Sequence, residues 1–125
     1  MYPGDLKYTS THEWVRVSGD TAEIGITKYA SDELGDIVFV DLPEVGAPVQ
    51  AGAVAGSIES VKAVAELTSP VSGEIVAVND VLGDTPETVN EDPYGAGWMA
   101  KVKMSSPSDL DRLLDAAAYE ASLGG

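Results

Sequence analysis

The chain has 125 residues, enough for one domain with an ordinary apolar core and too few for two independent ones. Hydrophobic residues make up 44% and cysteine is absent, which excludes disulfides, thiolate metal sites and a cysteine nucleophile together. With 21 acidic residues against 7 basic the net charge is −14, a balance that disfavours nucleic acid and anionic membranes, since both need a basic surface.

The opening residues, Met1 to Lys7, lack the cationic and apolar regions of a signal peptide and the Arg-rich pattern of a transit peptide. No apolar run approaches the ~20 residues of a membrane span. A cytoplasmic location of bacterial type, with no transit peptide, is therefore expected. Glu13 to Val17 alternates, Ser18-Gly19-Asp20 supplies turn residues, and Thr21 to Thr27 alternates again, which predicts a β-hairpin. Tyr29 to Leu34 fits one or two helical turns ending at Gly35. Ile37 to Leu42 reads by composition as a buried strand, stopped by Pro43 and Gly46.

Val54 to Glu59 and Val64 to Leu67 are β-type segments with a break near Lys62. Ser69 to Gly73 is a turn, Glu74 to Val78 a strand, and Trp98 to Met104 a late strand. A faint internal echo, Pro-x-x-Gly at Pro43–Gly46 and again at Pro70–Gly73, flanks Lys62 and fits two similar halves. Short strands at this spacing predict an all-β sandwich or barrel, with too few intervening helices for a parallel sheet. In the tail, Ser106 is a candidate N-cap and Pro107 suits the first helical position. Leu110, Leu113, Leu114, Ala117, Ala118 and Ala121 then follow helical spacing, a stripe expected to pack on the β domain, with Gly124-Gly125 as the stop. The expected organisation is a single domain over 1–125, with a β core over about 1–104 and a helical segment over about 106–123.

Most catalytic constellations are missing. One histidine excludes multi-His metal sites, and no Gly-x-Ser-x-Gly elbow presents a nucleophile to His12. Gly52 to Gly56 lacks the Lys-Ser/Thr ending of a phosphate loop. Asp32 and Asp36 have no calcium-loop spacing and read as solvated surface acids, and no metal site is expected. His12, alone at a strand start, reads as structural. Between Tyr29 and Ala100 there are thirteen acids and one base, Lys62. If the segments flanking it form a hairpin, Lys62 projects from the turn. An exposed lysine has a pKa near ~10.4 and is a poor nucleophile, so it suits modification by a dedicated ligase better than catalysis. Composition alone favours the other reading, an edge-strand charge that blunts aggregation, since edge lysines are routine.

The ordered motifs resemble a known family over nearly the whole chain. They are Lys7-Tyr8, Thr11-His12-Glu13-Trp14-Val15, Ile24 to Thr27, Leu34 to Pro43, Glu59-Ser60-Val61-Lys62-Ala63, Ser69 to Gly73, Val89 to Gly95 and Gly97-Trp98. The sequence resembles the H proteins of the glycine cleavage system. Biotinyl domains, by contrast, usually carry Met on both sides of the modified lysine. The resemblance implies a flattened barrel or sandwich of two antiparallel sheets, the lipoyl/biotinyl-like barrel-sandwich hybrid, with a helical C-terminus. It implies lipoic acid amide-linked to Lys62, with Glu59, Ser60, Val61 and Ala63 as its motif neighbours. It also implies a non-catalytic carrier that moves the aminomethyl group of glycine from a pyridoxal-phosphate glycine decarboxylase to a tetrahydrofolate-dependent aminomethyltransferase. Dihydrolipoyl dehydrogenase then reoxidises the carrier, and a lipoate-attaching enzyme installs the arm. Glu13, Glu66 and Leu34 match a cleft that shelters the loaded arm. The position of Glu33 varies in the family and is a histidine in some members. A relay that donates lipoyl groups to other proteins would need the same hairpin and lysine.

Overall fold

The computed structural model describes residues 3–123. Two antiparallel sheets form an open sandwich. The larger sheet has the strand order β1-β2-β3-β9-β8-β5, from β1 (Lys7–Tyr8), β2 (Glu13–Ser18), β3 (Thr21–Ile26), β9 (Ala100–Met104), β8 (Gly73–Val78) and β5 (Pro48–Val49). The smaller sheet is β4-β6-β7, from β4 (Ile37–Asp41), β6 (Val54–Ser60) and β7 (Val64–Thr68). The family's expected fold class is therefore the observed one.

The first hairpin closes through Gly19-Asp20, with Ser18 opposite Thr21 and Gly19 at φ 65°, which an unbranched backbone supplies without strain. Alternation fails at the start of β2, where Glu13, Trp14 and Val15 are all buried. Both faces of the strand are covered there. Val15 joins Ile24, Ile75, Val102 and Met104 between the layers, while Trp14 packs with Leu6, Tyr8 and Tyr119 on the other side. The Trp14 indole donates to the Pro93 carbonyl at 2.9 Å and lies over Gly25, where a Cβ would meet the ring at 2.8 Å. Only glycine leaves room for that ring.

A second cluster, Ile26, Ile37, Val40, Ile58, Leu67, Leu82, Val89 and Met99, fills the other end of the sandwich. Two one-turn helices that sequence periodicity missed, α2 (Val81–Asp84) and α3 (Thr88–Glu91), deliver Leu82 and Val89 to it. The helix preceding β4, α1 (Lys28–Leu34), is bounded as expected. Thr27 caps its start and Gly35, at φ 82°, ends it.

Three expectations need correction. Ile37–Asp41 is not a buried strand throughout: Ile37 and Val40 are buried, but Val38 and Phe39 face solvent. A bulge between Ile37 and Phe39 resets the register, and only one face of β4 meets the core. The tail is two short pieces, not one helix: a 3-10 helix (Pro107–Arg112) and α4 (Ala116–Ser122). Extended backbone at Leu113 separates them, because Leu114 forms a two-bond bridge with Tyr8. The alanines 117, 118 and 121 of the predicted stripe are thus exposed, and Tyr119 is the buried residue of α4. Ser106 makes no capping bond, whereas Asp115 caps α4. The expected stop at Gly124-Gly125 lies outside the described residues. The two Pro-x-x-Gly echoes lead into β5 and β8, which pair directly with Pro48 opposite Glu74.

Candidate functional site

Lys62 sits at the tip of the β6–β7 hairpin. Val64 pairs with Glu59, and residues 61–63 form the turn. No glycine is present, so a side chain stabilises the bend. Ser60, nearly buried, places its Oγ 3.0 Å from the Ala63 N–H and 3.3 Å from the Lys62 N–H, and donates to the Ala63 carbonyl at 3.2 Å. The Ser60 N–H closes the turn onto the same carbonyl at 2.8 Å. Behind the tip, the Val61 N–H donates to the Asp36 carbonyl at 3.1 Å. Asn90 then braces that corner, accepting from the Ile37 N–H at 2.9 Å and donating to the Gly35 carbonyl at 2.8 Å. The lysine is exposed on a backbone fixed from two sides. Motif resemblance located Asn90 within a segment, but its bracing role needed the fold.

Around Lys62 the solvent face of the small sheet mixes apolar and acidic side chains. Register aligns Phe39, Glu59 and Val64 in one row, beside exposed Val61 and Val38. Asp41, Glu59 and Glu66 are the charged residues of these strands, and β4, β6 and β7 carry no base. Lys7, Arg16, Lys101 and Lys103 all lie on strands of the opposite sheet. The uneven charge along the sequence becomes a difference between two faces.

A cleft of about 330 Å³ opens between α1, the start of β2 and the free edge of β7. It brings together Glu13, Glu66 and Leu34, all expected from the sequence, and adds His12, Tyr29 and Glu33. Its apolar lining comes from Ile26, Ala30, Leu34, Ile58 and Ala65. A Cβ at Gly35 would fall 3.6 Å from the Lys62 Cε, so the lysine stem crosses the end of α1 next to Leu34. Lys62 and the cleft are therefore adjacent.

Glu13 is 1% exposed, with its Oε1 accepting from the Thr9 and Thr11 hydroxyls at 2.5 Å each. Its Oε2 meets only the Thr68 N–H, at a long 3.4 Å. Burial pushes its pKa above the usual carboxylate value, with the hydroxyl bonds opposing. The free capacity of Oε2 is an acceptor position for a cation. His12 was expected to be structural, and its bonds are: it is the one described non-glycine residue at positive φ, 72°. That conformation costs about 1–2 kcal/mol for an ordinary residue. It is held by His12 N–H to Thr9 O at 3.1 Å and by Thr27 N–H to His12 O at 3.0 Å. The ring also lines the cleft, tilted against Tyr29 at 39° and 4.7 Å between centroids. Burial lowers its pKa, with Glu33 acting the other way.

No group of three or more potential ligands is gathered for a metal among the described residues. Asp32 pairs with Lys28 at 2.8 Å. None of the described helices is long and apolar enough to cross a membrane.

Residues 6–124 match the family model of the glycine cleavage H-protein. The chain is 55% identical over 121 residues to the glycine cleavage system H protein of Myxococcus xanthus, covering 97% of this chain and 94% of that one. It is 61% identical over 108 residues to that of Rubrobacter xylanophilus, covering 86% of each. The crystal structure of the Mycobacterium marinum H protein superposes with a TM-score of 0.92 at 44% identity, over 99% of this chain and 100% of that one.

Proposed function

The chain belongs to the glycine cleavage H-protein family, whose members are the lipoyl carriers of that system, and from this premise we propose that Lys62 is the lipoyl attachment residue. The observation that carries the assignment is the clamped, glycine-free turn that holds an exposed lysine beside an apolar cleft. Its motif neighbours have distinct roles. Ser60 shapes the turn, Glu59 supplies the acidic centre of the exposed row, and Val61 and Ala63 leave the tip unhindered for an attaching enzyme.

These residues fit a lipoyl group. The cleft's aliphatic lining suits a hydrocarbon arm, and its acidic end suits a protonated amine. When bound, the dithiolane supplies the redox-active sulfurs and the attachment point for the aminomethyl cargo. The chain itself supplies the tether, the shelter and the docking face. Glu13 Oε2 and Glu66 are placed to pair with the amine of the cargo, and Leu34 covers the arm. Glu33, at the cleft mouth, adds a third carboxylate where some relatives carry histidine. The absence of any cysteine leaves no protein thiol to exchange with the arm.

The chain acts as a shared substrate of glycine decarboxylase, aminomethyltransferase and dihydrolipoyl dehydrogenase, and carries no catalytic residue of its own. A tethered group on a rigid scaffold lets one carrier visit three active sites in turn. Amide formation removes the one cation between Tyr29 and Ala100 and takes the net charge to about −15. Complementation tests the assignment. A strain lacking its H protein should regain glycine-dependent one-carbon supply with this chain and not with Lys62→Arg. Restored lipoylation of other acceptor proteins without restored glycine cleavage would instead mark a lipoyl relay.

A further inference from the structure

The cleft has two walls that are far apart in sequence. One is the segment Thr11 to Glu13 entering β2, and the other is α1, which contributes Tyr29, Ala30, Glu33 and Leu34. The Thr27 N–H bond to the His12 carbonyl joins their backbones at 3.0 Å, and one side-chain hydroxyl bridges them as well. Tyr119 Oη lies 2.8 Å from His12 Nδ1 and 2.8 Å from Thr27 Oγ1. Thr27 is the N-cap of α1, with its Oγ1 accepting from the Ala30 N–H at 3.3 Å and its carbonyl from the Ser31 N–H at 3.0 Å. His12 precedes Glu13 directly and holds the left-handed conformation that turns the chain there.

We propose that the Tyr119 hydroxyl is the positioning group of the cleft: by bonding His12 on one wall and the cap of α1 on the other, it lets the C-terminal helix α4 set the cleft's width. Tyr119 is fully buried, and its ring is stacked on Tyr8 at 4.8 Å and 9°. The stack and the Leu114–Tyr8 bridge fix α4 against β1, so the hydroxyl is delivered from a rigid base. The proton order that satisfies all three groups is directional. Thr27 donates to Tyr119, and Tyr119 donates to an unprotonated His12 Nδ1. Burial favours the neutral ring that this order requires. Tyr119 is not part of the cleft lining, so it acts on the cleft through His12 and Thr27 and not by touching what the cleft holds.

The inference rests on the cleft being the shelter of the loaded arm, and its test separates the two. Tyr119→Phe keeps the stacked ring and removes only the hydroxyl. In the unmodified chain, amide exchange at Ala30 and Ser31 should quicken about fivefold, the factor that one ordinary net hydrogen bond carries. The 15N signal of the chain's single histidine should move away from that of an accepting Nδ1. On the lipoylated, loaded chain the cargo should be lost about fivefold faster, with the rate of lipoylation at Lys62 unchanged. His12→Asn guards against a folding defect at Tyr119, because Asn tolerates left-handed backbone. It should reproduce the faster loss, and the double variant should add little to either single one. Exchange and cargo loss unchanged in Tyr119→Phe, with only a lower melting temperature, would overturn the proposal. If the parent loses cargo as fast as free lipoamide does, the sheltering role fails, while exchange and the histidine signal still decide whether Tyr119 couples the walls.

Discussion

Replacing Ser60 by Ala tests whether a side chain, and not the strand ladder alone, shapes the carrier hairpin. The substitution removes three contacts: 3.0 Å and 3.2 Å to the backbone of Ala63 and 3.3 Å to the Lys62 N–H. Each neutral hydrogen bond contributes about 0.5–1.5 kcal/mol net. The contributions do not sum, because Lys62 and Ala63 are exposed and water replaces Ser60 at their backbone groups. The Ser60 N–H bond to Ala63 also remains. A loss of about 1 kcal/mol follows, which lowers the melting temperature by about 3–6 °C in a domain of this size. The same loss acts on function. If the attaching enzyme accepts the clamped turn, loosening it by about 1 kcal/mol lowers kcat/KM for lipoate attachment by up to about fivefold, the full factor applying where the open turn becomes the major form. The assay is intact mass against time with a lipoate ligase, beside a thermal melt. An unchanged melting temperature together with an unchanged attachment rate would refute the role assigned to Ser60.

Three further outcomes are expected. The raised pKa of Glu13 means that the folded state binds its proton more tightly than the unfolded chain, so this residue subtracts stability as pH rises through and above its unfolded value. Glu13→Gln should therefore gain on the parent between pH 4 and pH 7 in denaturant melts at a series of ~0.5-unit steps, while the loaded variant loses cargo faster; a stability difference independent of pH contradicts it. Gly25→Ala forces a Cβ onto the rigid Trp14 indole at 2.8 Å and should cost about 1–3 kcal/mol by chemical denaturation, with a change in Trp fluorescence. Transfer from the carrier to its partner enzymes should weaken as salt rises, because an acidic face without cations calls for basic active-site rims; transfer rates indifferent to salt would count against that docking face.

The parts of the fold that were legible in the sequence are those set by local chemistry. The Ser18–Asp20 turn, the Gly35 stop and the break at Lys62 each rest on a few neighbouring residues, and each appears where expected. What was not legible depends on distant partners. The run Ile37–Leu42 looks uniformly apolar, and only the register against β6 shows that Phe39 faces out. The leucine and alanine stripe of the tail fits one helix until Tyr8 claims Leu114 as a bridge partner. Two-residue strands such as Pro48–Val49 have no period to detect. In the cleft, resemblance supplied Glu13, Glu66 and Leu34, but not the Thr9 and Thr11 hydroxyls that hold Glu13, which no pattern marks although they are near in sequence. Nor does anything local link His12 to Tyr119, 107 positions away.

The central claim is that Lys62 carries lipoic acid, and intact mass of protein purified from lipoate-replete cells tests it most directly. The parent should show the mass of the chain plus one lipoyl group, localised by peptide mapping to Lys62, and Lys62→Arg should show the bare chain. A lipoyl increment retained by Lys62→Arg, or absent from a parent that has been exposed to active ligase, would contradict the account.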